Sequence, residues 1–260
     1  MSKKNETHGS TLIIPSSEKG GIGKTLTCVA LANYLRDMRY KVACFDFDTG
    51  NQGDTGCLAH WCSGNANVLS LRNWEHRDRL LTDAVDSGAD YIVADLPANS
   101  IADLATWFDS VATAELINEI GLRLIAVPVI TPESSTAKSA VKWISQLRDR
   151  ATYLVALNRI DYEPEPTRSE NLFKHWHGVG ISLLVPGIVS KDRIASFEIP
   201  FMEPHGMQAM TKLGKWPSVA LASSELNLLH RSRVKTWTKK IAADLDATGL
   251  FARQEQLSAA

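Results

Sequence analysis

Residues 19–25 read K-G-G-I-G-K-T and decide the fold of this chain. Three glycines allow a tight turn that directs several backbone N–H groups inward, and such a turn at the start of a helix binds anions. The second lysine can then reach the β- and γ-phosphates of a nucleotide, and the threonine hydroxyl can bind Mg²⁺. The stretch therefore predicts a phosphate-binding loop. Its predicted nucleotide contacts are Gly20, Gly21, Ile22, Gly23, Lys24, Thr25 and Leu26.

The segments on either side of the loop have the required character. Residues 11–15 form a short apolar run that predicts a strand. After the loop, Leu31, Leu35 and Met38 recur at i, i+4 and i+7, which predicts an amphipathic helix. The competing interpretation is a glycine-rich turn with two surface lysines. The order of strand, loop and helix favours the phosphate loop.

Length and composition indicate one globular domain. The chain has 260 residues, a net charge of −1 and no apolar run of about 18 residues, so we expect no transmembrane span. The first ten residues are polar and do not resemble a secretory signal. Four cysteines without a paired C-x-x-C pattern predict reduced thiols in a cytoplasmic protein rather than a metal cluster. We predict a flexible N-terminal tail over 1–10, the domain over 11–248 and a C-terminal tail over 249–260.

Apolar runs alternate with helix-like segments along the chain. This alternation predicts an α/β fold, a mostly parallel twisted sheet with helices on both faces. Ligands of such sheets bind beyond the carboxyl ends of the strands. After the first strand, the predicted strands are 41–46, 91–95, 123–129, 153–158 and 181–185. The predicted helices after that of the loop are 74–87, 101–117, 132–150, 167–176 and 228–245.

Two of the predicted strands end in aspartates. Asp46 and Asp48 form a D-x-D at the end of one strand, and Asp95 follows four apolar residues of another. The carboxyl ends of neighbouring parallel strands open onto one crevice, so these carboxylates should lie near the phosphate loop. Phosphoryl transfer needs carboxylates that hold Mg²⁺ and orient the attacking water. The competing interpretation is that these aspartates cap helices or close turns.

The loop differs from the usual G-x-x-x-x-G-K-[ST] pattern, because it has no glycine at 17 or 18 and has an extra lysine, Lys19. In this it resembles the ParA/MinD family of deviant Walker A P-loop ATPases, and the resemblance extends over about residues 10–245. It implies ATP and Mg²⁺ as cofactors, a homodimer formed with ATP, and a cargo adaptor or ATPase-activating protein as a further partner. Catalytic residues by this resemblance are Lys19, Lys24 and Asp48.

The resemblance also implies a role for each of these positions. Lys19 would cross to the nucleotide of a second subunit, and Asp48 would polarise the hydrolytic water. Metal contacts would come from Thr25, from Asp95 through water, and from Asp46 as a more distant partner. Asn158 and Pro186 would lie beside the adenine base of the nucleotide. The alternative for Asn158 is that it only closes a turn.

Two departures leave the subfamily open. Residues 48–52 read D-T-G-N-Q and lack the D-P-Q of plasmid-partition members, and Glu18 stands where a polar residue or glycine is usual.

The last predicted helix suggests what such a switch would act on. Val234, Trp237, Ile241 and Leu245 form an apolar stripe flanked by basic residues. A dimer would double the basic flanks, which predicts a surface for non-specific DNA binding. The alternative is an ordinary solvated helix whose basic residues only increase solubility. Membrane attachment is not expected, because residues 249–257 make a poor amphipathic anchor. The predicted DNA contacts are Arg231, Arg233, Lys235, Lys239 and Lys240.

The sequence therefore predicts an ATPase that dimerises on ATP and positions or segregates a cargo, such as plasmid DNA or a large complex, in the cytoplasm or on the nucleoid. The alternatives are a MinD-like membrane-associated ATPase, an accessory ATPase of conjugation or plasmid stability, and a metabolic ligase or reductase on the same scaffold. A non-hydrolysing adaptor is a further alternative.

Overall fold

The structure is a computed structural model that describes residues 9–48, 57–110, 114–161, 167–178 and 185–251. Its central feature is a seven-stranded sheet in the order β3-β2-β4-β1-β5-β6-β7, in which every neighbouring pair is parallel. The strands are β1 Thr11–Ser16, β2 Val42–Asp46, β3 Asn67–Val68, β4 Tyr91–Asp95, β5 Arg123–Ile130, β6 Thr152–Asn158 and β7 Ile194–Ile199. The predicted α/β fold is confirmed.

Helices connect the strands and cover the sheet. The long apolar-striped ones are the helices that the sequence predicts best, since their buried faces recur at helical spacing. The α-helices of the described part are α1 Lys24–Asp37, α2 Cys57–Trp61, α3 Trp74–Asp86, α4 Ile101–Ser110, α5 Ala114–Glu119, α6 Ser134–Leu147, α7 Ser169–Leu172, α8 Pro204–Leu213, α9 Pro217–Ala222 and α10 Leu228–Thr248, of which α2, α8 and α9 are not predicted by the sequence. No helix in the described ranges has the length and hydropathy needed to cross a bilayer.

Alternation along β1 creates two hydrophobic cores. Leu12 and Ile14 point into the core that contains Trp143 of α6, and Ile13 points into the opposite core with Trp237 of α10. Successive side chains of a strand face opposite sides of the sheet, so a fully apolar strand is needed where helices cover both faces. This burial holds both ends of the phosphate loop on a rigid frame.

Some predicted elements differ from the structure. The predicted strand 181–185 lies mostly outside the described residues, and Val185 begins a short 3₁₀ turn instead. The two edge strands, β3 and β7, are not among the predicted strands, and the burial of β7 varies along its length. The predicted helix 101–117 is two helices, α4 and α5, and residues 111–113 between them are outside the described part. In place of the predicted helix 167–176, the α-helical part α7 covers Ser169–Leu172 and a π-helical turn follows over residues 175–178.

The described ends of both predicted tails contact the domain. The Ser10 hydroxyl donates to the carbonyl of Ala89 over 2.7 Å. Phe251 is buried, and its carbonyl accepts a hydrogen bond of 2.9 Å from the Tyr40 hydroxyl. Burying an aromatic side chain is favourable, and this extends the packed domain past the end of α10.

Candidate nucleotide site at the carboxyl ends of the strands

The phosphate loop joins β1 to α1, as the sequence predicts. Gly21 and Gly23 have φ angles of 71° and 92°, in the left-handed region that glycine adopts at little cost. Gly23 is the residue immediately before α1, and no side chain caps the first turn of that helix. Free N–H groups at the start of a helix attract anions. The loop therefore presents its open backbone where a phosphate would bind.

Asn158 supports this turn from the end of β6. Its side-chain amide is buried and donates to the carbonyl of Ile22 over 2.8 Å. A Cβ atom added to Gly23 would lie 2.3 Å from the Asn158 Nδ2 atom. The fold thus requires glycine at 23 for two reasons, the backbone angle and the close approach of Asn158.

Replacing Gly23 by alanine is expected to weaken nucleotide binding at least tenfold and to destabilise the fold by about 1–3 kcal/mol, because the new methyl group meets Asn158 at a strained φ. Isothermal titration with ATP and thermal unfolding measure the two effects. Gly64→Ala is the matched control, since Gly64 has a φ of 82° but nothing within 4 Å of an added Cβ. Unchanged ATP affinity in Gly23→Ala would contradict the assignment of the loop.

Lys24 lies within the loop rather than in solvent. Its side chain is buried, and its Nζ atom donates to the carbonyl of Lys19 over 3.4 Å. A lysine held back over its own loop can exchange this weak contact for phosphate oxygens. Thr25 follows at the first turn of α1 and is half-buried.

Asp95 is a buried carboxylate at the end of β4. It is fully buried, and neither of its oxygens has a hydrogen bond of good geometry with the described residues. The pKa of Asp95 is raised to about 7, chiefly by burial and also by the charges of Asp46 and Asp48, while the nearby Thr25 hydroxyl and Lys24 act to lower it. Buried polar groups in folded proteins are normally paired. The unpaired oxygens beside Thr25 suit a cation or its bound water.

Asp46 has a different environment from Asp95. Its two oxygens accept hydrogen bonds from the backbone N–H groups of Asp48, at 3.0 Å, and of Ala59, at 2.7 Å. Burial raises its pKa, and these hydrogen bonds act in the opposite direction. Asp46 therefore joins the end of β2 to α2, and its contribution to a metal stays a prediction. Asp48 is half-buried and lies just before residues 49–56, which are outside the described part.

The residues present fit Mg²⁺ as it is bound with nucleotides. No three histidine, cysteine or acidic side chains in the described ranges converge to hold a metal by themselves. Mg²⁺ is usually bound by one or two protein oxygens together with phosphate oxygens and water. Asp95 and the Thr25 hydroxyl provide such a partial set.

The first half of the loop is attached to α6, and the sequence reasoning missed this. The N–H of Glu18 donates to Ser139 Oγ over 3.0 Å. The Lys142 side chain forms an ion pair with Glu18, and that of Lys19 forms one with Glu133. The two partners of each contact are separated by 114 to 124 positions in the sequence. No local pattern signals such contacts.

The predicted base contacts are less well defined. Asn158 lies against the loop backbone, as described above, and contact with a base stays a prediction. Pro186 is exposed within a 3₁₀ turn over Val185–Gly187. Residues 179–184 before it lie outside the described part.

Helix α10 carries the five predicted basic residues, and the structure separates them into two groups. The apolar stripe over Val234–Leu245 is buried, as predicted. Arg231 donates to the carbonyls of Ser223 and Leu226, at 2.9 and 3.4 Å, and Arg233 forms an ion pair of 3.0 Å with Glu203. The other three, Lys235, Lys239 and Lys240, are exposed. Their side chains form no hydrogen bond or ion pair with the described residues.

The parallel sheet and the loop define a P-loop nucleotide-binding protein. The sequence profile of the CobQ/CobB/MinD/ParA nucleotide binding domain matches residues 13–175, which is more than half of the chain. The chain belongs to this family, and the resemblance inferred from the loop is confirmed. No curated protein sequence matches it.

Several solved structures are similar to this chain at low sequence identity. The signal recognition particle receptor FtsY from Elizabethkingia anophelis is 14% identical with a TM-score of 0.52, over 90% of this chain and 66% of that one. MinD cell division protein from Aquifex aeolicus is 18% identical with a TM-score of 0.47, over 92% of this chain and 97% of that one. FtsY from Mycoplasma mycoides is 17% identical with a TM-score of 0.42, over 59% and 53%. This chain thus spans about half to two thirds of the FtsY chains.

Proposed function

We propose that this protein is a Mg²⁺-dependent ATPase that dimerises on ATP and uses hydrolysis to position or segregate a cargo. The observation that carries the proposal is the buried carboxylate of Asp95, unpaired beside Thr25 in the first turn after an open glycine loop. Membership of a nucleotide-binding family supports the same conclusion.

Each residue of the site has a proposed role. Lys24 and the loop N–H groups bind the β- and γ-phosphates, while Thr25 and Asp95 hold the cation and its water. Bound Mg²⁺ neutralises charge on the phosphate oxygens. Asp48 orients the attacking water and accepts its proton. Positioning and charge stabilisation account for most of the catalysis in phosphoryl transfer, and these residues supply both from within one subunit.

Lys19 is proposed to act across a two-fold interface. It is not directed at its own loop, because its side chain contacts Glu133 on the outer side. A cation supplied in trans would stabilise transition-state charge in the way an arginine finger does. Dimerisation would then depend on the γ-phosphate, and hydrolysis would release the subunits.

The core of this proposal is tested by measuring phosphate release and sedimentation together. We expect turnover of ATP that requires Mg²⁺, and a dimer with a non-hydrolysable ATP analogue but a monomer with ADP. A protein that binds ATP but neither hydrolyses it nor dimerises would contradict the proposal and favour a non-hydrolysing adaptor.

The DNA-binding surface is proposed to be the lysine face of α10, defined by Lys235, Lys239 and Lys240. These side chains are exposed on one helix, and their charges are not neutralised by the described residues. Closely spaced lysines bind phosphates through release of counterions, and a dimer doubles their number. We propose non-specific DNA as the matrix, with nucleoid association in the ATP-bound state and a cargo adaptor or activating protein as further partner.

Reversing the charge of this lysine face to glutamate is expected to weaken DNA binding at least tenfold at low salt and to leave ATP affinity unchanged. The loss follows from removing three phosphate contacts per subunit, each of which contributes about 0.9 to the slope of log affinity against log salt. Fluorescence anisotropy with random duplex DNA, in ATP and over a salt series, measures the affinity and the slope.

The matched control is Lys41, Lys174 and Lys191 changed together to glutamate. These exposed lysines lie outside α10 and give the same change in net charge. Equal losses in both triple variants would mean that only net charge matters. Co-sedimentation with DNA and with anionic liposomes, each with ATP and with ADP, separates the DNA matrix from a membrane. Binding to liposomes alone would overturn the DNA proposal.

A further inference from the structure

The loop residues Glu18 and Lys19 are docked on α6 by two opposite ion pairs. Lys19 pairs with Glu133, just before the helix, and Glu18 pairs with Lys142, farther along it. The N–H of Glu18 also donates to Ser139 Oγ over 3.0 Å. Each of the two loop residues therefore pairs with an opposite charge, one just before α6 and one within it. The Lys19 side chain is directed toward the start of the helix.

Glu133 is placed to hold a cation. It is the residue that precedes α6, and its carbonyl accepts hydrogen bonds from Thr136, 2.7 Å from the hydroxyl and 3.2 Å from the N–H. Among the described residues, its carboxylate makes no capping bond to the helix backbone and has, besides Lys19, only a long contact of 3.5 Å from the Ser135 hydroxyl. Most of its binding capacity is therefore available to the lysine.

The pair is also placed to be broken. The side chains of Lys19 and Glu133 are 45% and 48% exposed, so water can replace either partner. Exposed ion pairs are weak, with a median of about 0–1 kcal/mol. A triphosphate carries several negative charges and is a stronger partner for a lysine than one solvated carboxylate.

We infer that Glu133 holds Lys19 within its own subunit and competes with the nucleotide of the second subunit for this lysine. The inference rests on the proposed function, because it assumes that Lys19 acts in trans. The intramolecular pair must open before the dimer closes. Glu133 thereby sets the threshold of ATP-dependent dimerisation, and it is a positioning residue rather than a catalytic one.

Replacing Glu133 by glutamine is expected to tighten the dimer formed with a non-hydrolysable ATP analogue by roughly 4- to 25-fold, because each dimer opens two such pairs and each exposed ion pair allows about two- to fivefold. The gain should be largest at low salt and fade at high salt, because salt already weakens the pair in the natural protein. Sedimentation velocity over a protein concentration series measures the dissociation constant, and ATP affinity of the monomer should not change.

Lys142→Gln is the matched control, because it breaks the neighbouring ion pair of the same loop without releasing Lys19. It should shift dimerisation less than the Glu133 variant. Glu133→Ser is a second variant that supplies a capping oxygen to α6 and also removes the carboxylate. Thermal unfolding of all three shows whether α6 is intact, and both Glu133 variants should tighten the dimer.

The outcomes separate this inference from the proposed function. If the natural protein dimerises with the analogue but neither Glu133 variant does so more tightly, the inference fails while the proposed function stands. If neither the natural protein nor the variants dimerise, both fail. Dimerisation that appears only when Glu133 is replaced would support the inference but contradict an ATP-dependent dimer of the natural protein.

Discussion

Replacing Lys19 by alanine is expected to lower ATP turnover by about three orders of magnitude, the size of effect that a cation supplied in trans has on phosphoryl transfer. ATP binding should persist, because the loop N–H groups and Lys24 remain. The reason for the separation is geometric: the Lys19 side chain leaves its own loop toward α6, so its own nucleotide does not depend on it. Single-turnover hydrolysis and titration with a fluorescent ATP analogue measure the two quantities.

The matched control for this variant is Lys142→Ala, which removes the other lysine that pairs across the loop and α6. Its turnover should stay close to that of the natural protein. Sedimentation with a non-hydrolysable analogue should show a monomer for Lys19→Ala. Normal hydrolysis by that variant would remove the trans-acting lysine from the mechanism.

Replacing Asp48 by asparagine is expected to lower turnover by about 10²–10⁴-fold, the usual contribution of a positioned acid or base. The amide has nearly the same shape but accepts no proton from the attacking water. ATP and Mg²⁺ binding should be retained, since the phosphate contacts and Asp95 are unchanged. The ATP-bound dimer should therefore accumulate, and its lifetime is measured by size-exclusion chromatography after incubation with ATP.

Asp103→Asn is the control, because Asp103 is an exposed carboxylate on α4 and has no proposed role. An Asp48 variant that hydrolyses ATP at the natural rate would assign the water-orienting role elsewhere. One that fails to bind ATP would show that Asp48 helps to hold the cation.

The strands that the sequence predicted well share one property. β1 and β4 are buried along their whole length, so their residues form uninterrupted apolar runs. β7 was missed because it lies at the edge of the sheet, where only some positions need to be apolar. Its Ser196 and Glu198 interrupt the run, whereas the segment at 181–185 is more apolar, and the pattern therefore predicts a strand there.

The candidate site shows the same division. The glycines and Lys24 follow from the chemistry of phosphate binding, and Asp95 follows from its place after an apolar strand. The resemblance implies that Asn158 contacts the nucleotide base. In the structure its side-chain amide donates a hydrogen bond to the backbone carbonyl of Ile22 in the loop. Its hydrogen-bond partner is 136 positions away, and no spacing rule connects two such positions.

The amino-acid sequence by itself determined the class of the fold, the identity of the phosphate loop and the family. This is so because glycine turns, apolar runs and short motifs act over a few residues. Only the tertiary structure decided which charges remain available. It placed Lys19 against Glu133, used Arg231 and Arg233 in contacts within the chain, and left Asp95 unpaired. Those outcomes depend on distances between segments that meet only after folding, and burial sets the energy of each charge at its place.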